Sequence, residues 1–384
     1  MRRFTNFLIE KKEEKPTVET TGHLAHAGDY LYYGDPELAV HHHEKMFNRL
    51  HNNEEDPNHP VSLKVDGGMS FVMGKDEDGK SFVSYKSGKQ RFYSAKDILA
   101  TGKEHYERLL IPALYTVMKM KTMPAGTAIQ ADHLFDQRPN DDRFTSNTIP
   151  YATPGGSSSF GFAPHSQYEV RGNDLIKVSN DPDHTHFSSV KNHVFAPKLS
   201  LQGKSFNPME EEIAGQIQQN IGTARAILDD QGLRNFASTL PQEKKLHAAL
   251  QGYSNHVART SGVRSTDDFI EHINKHVARR KVSDRLKQKE LESHLGNVEL
   301  NRQHFDALFN AHNLLTQAKH SMMDHVAAHH HAFDIKPHRD EEHEGLVATS
   351  NDTGTMAKFV REGPGGFAEK NAARTAELRK SSAK

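Results

Sequence analysis

The spacing of apolar residues changes twice along this chain, and that change restricts its fold more than any other feature. Short apolar runs separated by Gly- and Asp-containing turns fill residues 61–94, which is the pattern of antiparallel strands. From Asn207 to about Ala332 the apolar residues recur at helical spacing, and after Pro337 the strand pattern returns. The sequence therefore predicts an α+β protein in which a bundle of about four to six helices separates two β regions.

Individual elements follow from the same patterns. Before residue 207 we predict two helices and five strands: helices from Pro36 to Asn52 and from about Ile98 or Lys103 to Met120, and strands Val61 to Lys64, Ser70 to Met73, Ser81 to Tyr85, Arg91 to Tyr93 and Thr127 to Phe135. Residues 136–204 are expected to form strands and long loops. The helical region should begin with a cap at Asn207, and breaks are expected near Gly232, Gly252–Asn255, Ser261–Thr266 and Gly296.

The length of 384 residues allows two domains, or one domain with a large insertion. We predict a first core part over residues 1–204, an inserted helical domain over 205–336, returning strands over 337–371 and a flexible tail over 372–384. Residues 1–22 are expected to form a short amphipathic element and a charged connector. No apolar run approaches the roughly 20 residues of a membrane span, and the first one is too short for a signal peptide. Because cysteine is also absent, we predict a protein of the reducing cytoplasm.

Charge gives only a local indication of a binding partner. The net charge of −1 provides no general attraction to nucleic acid. One basic cluster stands out in the helical region and consists of Arg279, Arg280, Lys281, Arg285, Lys287 and Lys289. Such a cluster can follow a phosphate backbone, or it can simply be a solvated helix face.

Histidines are frequent, but their spacing does not favour a metal site. His41, His42 and His43 on a helix point in three directions, so we predict that all three are solvated. His325 and His329 lie one helical turn apart without a third ligand at helical spacing, which favours a polar helix end.

The stretch from Val61 to Met73 contains a lysine, Lys64, next to a predicted turn. Lys64, Asp66 and Gly67 lie between two β-prone runs, an arrangement that predicts a strand, a turn and a second strand. A lysine at such a turn can act as a nucleophile if its pKa is lowered from about 10.4, and Asp66 would share its face in an extended backbone. The alternative is an ordinary hairpin turn.

Asp132 is a second unusual residue, because it lies inside the apolar run from Thr127 to Phe135. A buried carboxylate is costly unless it is paired, so Asp132 is a candidate site residue. It can also be an ordinary residue near the end of a strand.

Several of these pieces, taken together and in order, resemble motifs of the covalent nucleotidyltransferases, which are the ATP-dependent DNA and RNA ligases and the capping enzymes. The pieces that match motifs I, Ia, III, IV and V are Lys64-Val-Asp66-Gly67, Lys86-Ser-Gly88, Gln130-Ala-Asp132, Glu344-Gly-Leu-Val347 and Lys358. The chain resembles more closely the ligase-like proteins of large tailed phages, in which a helical domain precedes the Glu-Gly-x-Val strand. The resemblance implies an antiparallel-sheet nucleotidyltransferase core with an inserted α-helical bundle.

The resemblance also implies a role for each matching residue. Lys64 would attack the α-phosphate of ATP, form a lysyl-AMP and release pyrophosphate. Asp66 and Gly67 would belong to the nucleotide site, with Asp66 contacting the ribose or orienting the lysine. Lys86 would lie near the nucleotide, where the family commonly has a basic residue.

Three more roles concern charge neutralisation and the second substrate. Asp132 and Glu344 would hold Mg²⁺ or Mn²⁺, and Lys358 would bind the α-phosphate. The activated nucleotide would then pass to a 5′-phosphate end of RNA or DNA, where a 3′-hydroxyl displaces it. Two alternatives stay open: a non-catalytic nucleic-acid-binding or phage-assembly protein on the same fold, and a capping-type guanylyltransferase that uses GTP.

Overall fold

The computed structural model describes residues 24–86, 89–260, 262–367 and 369–374. The amphipathic element predicted over residues 1–22 lies outside these ranges, as do Ser87 and Gly88 of the second motif and residues 375–384 of the predicted tail. The described residues form an α+β fold with mostly antiparallel sheets, which confirms the predicted class. None of their helices is long and apolar enough to span a membrane.

The predicted strands and helices are present with closely similar bounds. In chain order, the elements before residue 207 are β1 (Ala25–His26), α1 (Pro36–His51), β2 (Val61–Lys64), β3 (Ser70–Lys75), β4 (Ser81–Tyr85), β5 (Arg91–Phe92), α2 (Ala95–Leu99), α3 (Glu104–Lys119), β6 (Thr127–Phe135), β7 (Arg143–Thr145), β8 (Pro150–Ala152), β9 (Phe160–Arg171), β10 (Asp174–Ser179) and β11 (Val194–Phe195). The later elements are α4 (Glu211–Leu228), α5 (Gln231–Thr239), α6 (Lys244–Arg259), α7 (Thr266–Ala278), α8 (Asp284–Leu300), α9 (Arg302–Ala328), β12 (Gly345–Ser350) and β13 (Thr355–Val360). Short 3₁₀ helices occupy Ala27–Leu31, His184–Phe187, Leu240–Gln242 and His330–Ala332.

Two sheets carry most of the strands. The first sheet has the order β1-β13-β12-β2, and the second has the order β10-β9-β6-β3-β4-β5 with β11 beside β9. The β1–β13 and β11–β9 pairs are parallel, and the other pairs in these two sheets are antiparallel. The first sheet therefore joins strands from both ends of the chain.

The predicted hairpin at Lys64 is wrong, because β2 and β3 belong to different sheets. One edge of β2 pairs with β12. On its other edge, the Leu63 amide donates to the Leu199 carbonyl and the Leu201 amide donates to the Val61 carbonyl. Because both edges of β2 are occupied, β3 has no edge to pair with, and residues 65–69 cross from one sheet to the other.

Each sheet has one apolar face that packs against helices. In the first sheet Leu63, Leu346 and Phe359 point into a core that also contains Phe47 of α1 and Phe309 of α9. In the second sheet, one face packs against α3. Its side chains Phe71, Met73, Val83 and Ile129 share a core with Leu110 of that helix. Because side chains alternate along a strand, the opposite faces of both sheets are left for other contacts.

The helical region contains the predicted number of helices, α4 to α9, but two of its predicted breaks are wrong. Helix α6 runs through Gly252 and α8 runs through Gly296. A glycine inside a helix costs only about 1 kcal/mol, which a packed helix tolerates. A Cβ at Gly252 would lie 3.3 Å from the His272 ring, so this glycine allows α6 and α7 to approach closely. The domain division at residues 204 and 336 stays a prediction.

The predicted start of the helical region is also wrong by three residues, because the N-cap is Glu210 and not Asn207. Helix α4 begins at Glu211, and residues 207–210 precede it. The Met209 amide donates to the His51 ring, and the Met209 side chain is buried in the core. These contacts hold the segment against α1 and prevent the earlier helical turn that Asn207 and Pro208 favour locally.

Two of the three adjacent histidines are buried, contrary to the prediction. His42 is 0% exposed and His43 is 1% exposed, because α1 packs against α4, α9 and the first sheet. The His43 ring bonds to the Ala39 carbonyl and contacts the Phe359 ring. Burial lowers the pKa of His43 to about 3, so its ring is neutral at pH 7.

Candidate functional site

One face of each sheet turns toward the other sheet, and we call the space between these two faces the inter-sheet cleft. On the first sheet, Lys64 of β2 and Lys358 of β13 alternate with the apolar residues that face the helices. On the second sheet, Asp132 of β6 alternates in the same way, and Lys177 of β10 lies on the same face of the sheet through its pairing with Tyr168 of β9. The Lys177 amine lies 3.2 Å from the Met356 sulfur of β13, so the two faces are in contact.

Lys64 and Glu344 are joined at the end of the first sheet. Lys64 is the last residue of β2 and lies opposite Gly345, the first residue of β12. The Lys64 Nζ is consequently 2.5 Å from Glu344 Oε1, and Glu344 is buried. Burial raises the pKa of Glu344, and the Lys64 charge only partly opposes that effect. A carboxylate of this kind is suited to accept a proton from the amine beside it.

Lys358 is the second amine in the inter-sheet cleft. In the sheet it lies opposite Val347 on one side and opposite His26 on the other. Burial lowers the pKa of Lys358, and the Lys64 charge lowers it further. The two lysines therefore face a common space, where an anionic ligand would relieve their repulsion.

Asp132 lies across the cleft from Lys64. Its strand pairs with β3, which places it opposite Ser70, and His165 Nε2 is 3.5 Å from its carboxylate. Burial alone would raise the pKa of Asp132, but His165, Lys64 and Ser70 together hold it below its ordinary value. A Cβ on Gly67 would lie 2.4 Å from the Asp132 Cβ. The glycine is therefore required where the crossover passes the acid.

Asp66 is buried, and its carboxylate is hydrogen-bonded within the protein. Its carboxylate accepts hydrogen bonds from the Asn147 amide group at 2.7 Å and from the backbone amides of Thr148 and Ile149 at 2.5 and 2.6 Å. Its own backbone amide donates to the Tyr151 hydroxyl. These bonds occupy both carboxylate oxygens, so Asp66 fixes the crossover between the sheets against residues 147–151.

Lys86 lies at the margin of the cleft. It follows β4, its side chain is exposed, and its backbone amide donates to the Ser70 carbonyl at 3.0 Å. Its φ of 36° is in the left-handed region, which is uncommon for a lysine. The chain thus brings Lys86 to the strand that contacts Asp132 but leaves its amine in solvent.

Lys177 is a cleft residue that the sequence did not reveal. In β10 the apolar Ile176 and Val178 are 40% and 55% exposed, and the lysine between them points inward, the reverse of the usual pattern. Burial lowers the pKa of Lys177 to about 8. No carboxylate of the described residues lies within 4.0 Å of its amine. The sequence signal that could have identified Lys177 is this inverted alternation, and it becomes informative only when the position of the second sheet is known.

Arg361 does not supply a further cation to the cleft. Its guanidinium pairs with Asp324 of α9 and with Glu342. Both carboxylates are about half exposed or more, so this group lies at the surface of the protein. Lys177, which contacts Met356 of β13, is therefore a further amine between the two sheets.

A comparison with protein families places the chain in a group. The model of a family of unknown function, DUF6267, matches residues 21–373. The chain belongs to this family. The match includes both sheets and all helices named above, and with them every residue of the inter-sheet cleft. No curated protein and no solved structure matches the chain.

Two carboxylates of the inter-sheet cleft are candidate ligands for a metal ion. Among the described residues, no group of three or more His, Asp or Glu side chains could hold a metal by itself. Mg²⁺ is commonly held by one or two carboxylates together with the phosphates of a substrate. Asp132 and Glu344, which both interact with Lys64, supply that number of carboxylates. The donor set fits a metal that arrives with a nucleotide.

Proposed function

We propose that this protein is a polynucleotide-ligase-like nucleotidyltransferase, which forms a lysyl-AMP at Lys64 and joins ends of RNA or DNA. One observation carries the proposal: Lys64, Asp132, Glu344 and Lys358, which are widely separated in the sequence, line a single cleft. Lys64 ends β2, Glu344 immediately precedes β12, and Asp132 and Lys358 lie within β6 and β13. Family membership leaves the activity open, so the support comes from the residues and their arrangement.

The first step forms a bond between nitrogen and phosphorus. The neutral Lys64 Nζ attacks the α-phosphorus of ATP, and the bond from that phosphorus to the oxygen bridging to the β-phosphate breaks. Pyrophosphate leaves with the electron pair of that bond. The proton that Lys64 must lose passes to Glu344, which contacts the amine and whose pKa is raised by burial.

The other cleft residues stabilise charge during this step. Lys358 faces Lys64 and would bind an oxygen of the α-phosphate, where negative charge develops. Asp132 and Glu344 would hold Mg²⁺ or Mn²⁺, and such an ion neutralises phosphate charge when it is bound. Asp66 keeps the crossover in place through its bonds to residues 147–149.

The second half of the reaction consumes the lysyl-AMP. A 5′-phosphate of RNA or DNA attacks the adenylate phosphorus, the bond from phosphorus to Lys64 Nζ breaks, and the amine regains a proton. The 3′-hydroxyl of the other end then attacks the activated 5′-phosphate, and AMP leaves. The net result is one phosphodiester bond, with ATP converted into AMP and pyrophosphate.

Covalent labelling tests the proposal directly. The full chain is incubated with α-labelled ATP, or separately GTP, and Mg²⁺ or Mn²⁺, and label retained after denaturing electrophoresis is measured. We expect label from ATP that is absent in Lys64→Ala and retained in Lys121→Ala, a change at an exposed lysine after α3. No label from either nucleotide in the wild-type protein would overturn the proposal.

A specific contact also supports the non-catalytic alternative. The contact between Lys64 and Glu344 is an ion pair when the lysine is protonated, and an amine held in that form cannot attack phosphorus. A protein that only binds nucleic acid on this fold would bind oligonucleotides and give no label. A capping-type guanylyltransferase would give a Lys64-dependent label from GTP in place of ATP.

A further inference from the structure

A second cleft lies in the helical region, far along the chain from Lys64. It has a volume of about 500 Å³ and is lined by His256 of α6 and by His272, Lys275, His276, Arg279 and Arg280 in and after α7. The five residues in and after α7 recur at intervals of three and four, so they share one side of the helix. We call this opening the basic cleft.

The charge around the basic cleft departs strongly from that of the whole protein. Between residues 275 and 289 there are seven cations and one carboxylate, Asp284, although the net charge of the chain is −1. Lys275 and Arg280 pair with Glu271 and Glu290. A further set of cations has no carboxylate of the described residues within 4.0 Å: Arg279, Lys281, Arg285 and Lys289. The cleft and the start of α8 therefore form a positive surface.

Imidazole rings make up the rest of the lining. The ring centroids of His256 and His272 are 5.8 Å apart, and those of His272 and His276 are 6.3 Å apart. The His272 Nε2 is buried and has no hydrogen-bond partner among the described residues. Burial lowers the pKa of His272, and repulsion from His256, His276 and Arg279 lowers it further. A bound anion would reduce this repulsion.

The combination of cations and ring faces favours one class of anion. A groove that binds a single nucleic-acid strand uses cations for the phosphates and ring faces for the bases. An acidic peptide would need the cations but would leave the row of imidazoles without a function. These histidines do not form a metal site, since the described residues contain no suitable group of three.

The basic cleft is also fixed relative to the Lys64 end of the first sheet. The last turn of α6 is tied to the residues after β13, because the Gly363 amide donates to the Ala258 carbonyl. The same end of β13 pairs with β12 where Val360 lies opposite Gly345, next to Glu344. A buried ion pair between Arg264, which precedes α7, and Glu362 reinforces this connection. These contacts connect the helices that form the basic cleft to the strands that carry Lys64 and Lys358.

We propose that the basic cleft binds the phosphate backbone of a single-stranded stretch of the polynucleotide, with Arg279 of its lining and the exposed Lys281 beside it contacting phosphates and the imidazole row contacting bases. This inference rests on the proposed function, because it assigns the cleft to the polynucleotide that Lys64 activates for joining. It adds a site more than two hundred residues beyond the first motif.

Oligonucleotide binding by the full chain tests this inference. Fluorescence anisotropy with a labelled single-stranded 20-nucleotide RNA or DNA gives Kd over a series of salt concentrations for the wild type and for Arg279→Gln/Lys281→Gln. Each lost phosphate contact makes the slope of log K against log salt shallower by about 0.7. We therefore expect weaker binding and a slope shallower by about 1.4 for the double variant. Lys96→Gln, at an exposed lysine of α2, should leave Kd and slope unchanged.

The possible results separate this inference from its rivals. Equal Kd and slope in the wild type and the double variant, or no binding by the wild type, would overturn it. If the double variant no longer binds inorganic tripolyphosphate but binds the oligonucleotide as the wild type does, the cleft is a site for small anions, and this result would also overturn the inference. If the double variant binds a blunt duplex as much more weakly than the wild type as it binds the single strand, the assignment to single strands would be overturned.

Labelling of Lys64 distinguishes failure of this inference from failure of the proposed function. The double variant should keep its label from α-labelled ATP, since its changes lie outside the inter-sheet cleft. If the wild type takes no label but binds oligonucleotides through Arg279 and Lys281, the proposed function fails and the basic cleft stands. If label appears but the double variant binds normally, the cleft assignment fails alone.

Discussion

The Lys64 ammonium nitrogen lies 2.5 Å from a carboxylate oxygen of Glu344, although the two residues are 280 positions apart in the sequence. The pairing of β2 with β12 produces this contact, because the last residue of one strand lies opposite the first residue of the other. The whole helical region lies between them in the chain. The candidate site therefore depends on long-range strand pairing rather than on any local turn.

The contact predicts a specific effect of Glu344→Gln. An amide cannot take the Lys64 proton, so we expect the rate of labelling by ATP to fall by about 10² to 10⁴. Labelling should also rise more steeply with pH in the variant, because solvent must then remove the proton. The measurement is the rate of lysyl-AMP formation at pH values from about 6 to 9, because a general base acts best when its pKa lies near the working pH. Glu341→Gln, a nearby partly exposed glutamate, is the control, and equal rates in both variants would contradict the assigned role.

The close passage of Gly67 over Asp132 predicts an effect of one added methyl group. In Gly67→Ala the new Cβ would lie 2.4 Å from the Asp132 Cβ, so the crossover or the acid must move. We expect the free energy of unfolding to fall by about 1–3 kcal/mol and labelling to be lost. Urea unfolding measures the first effect.

Gly155→Ala is a matched control for that experiment, because a Cβ at Gly155 meets nothing within 4 Å. We expect wild-type stability and labelling in this variant. A normal labelling rate in Gly67→Ala would mean that Asp132 need not hold its position for the reaction.

A buried ionic cluster joins the helical region to the first sheet. Glu362, which follows β13, contacts Arg264 at 2.9 Å and also pairs with Lys319 of α9 and His26 of β1. In Glu362→Gln two buried cations lose their carboxylate, so we expect the free energy of unfolding to fall by about 3–5 kcal/mol. Glu342→Gln breaks an exposed pair with Arg361 and should cost about 0–1 kcal/mol. Similar losses in the two variants, measured by urea unfolding, would contradict this difference.

Most local elements of the fold are predictable from the sequence. The bounds of β6 coincide with the predicted Thr127–Phe135, since turn residues delimit one apolar run. The bundle of helices and the return to strands after Pro337 are likewise predicted by apolar spacing. The local sequence of a strand does not determine which strand it pairs with. Val61–Lys64 has the pattern of a strand, but it pairs with β12 and does not form the predicted hairpin with β3.

Burial of polar residues was the least predictable property. A helix between two layers is buried on more than one side, so the sequence of α1 does not show that His42 and His43 face the core. The order of the motif-like pieces predicted that four residues lie in one site: Lys64, Asp132, Glu344 and Lys358. This prediction came from the resemblance to a family and not from the local sequence patterns. Nothing in the pattern of β10 alone showed that Lys177 points into the cleft.

Lys177 leads to a prediction about nucleotide binding. It is an amine without a carboxylate partner among the described residues, and it contacts Met356, which lies two residues before Lys358 in β13. A bond from a charged amine to a phosphate contributes about 1.5–3 kcal/mol. In Lys177→Met we therefore expect the KM for ATP to rise by about 10- to 100-fold, with little change in the maximal labelling rate. Unchanged KM would place the nucleotide elsewhere in the cleft.

The same substitution predicts a change in how stability depends on pH. The pKa of Lys177 is about 8 in the folded protein because burial disfavours its charge, and it is 10.5 without that burial. Between these values the unfolded chain binds more protons than the folded one, so the free energy of unfolding of the wild type should rise with pH from about 8 to 10.5. This rise should be smaller in Lys177→Met, which has no amine to bury. Urea unfolding of both proteins at pH values across that window measures the difference, and parallel pH profiles would mean that the amine is solvated when no nucleotide is bound.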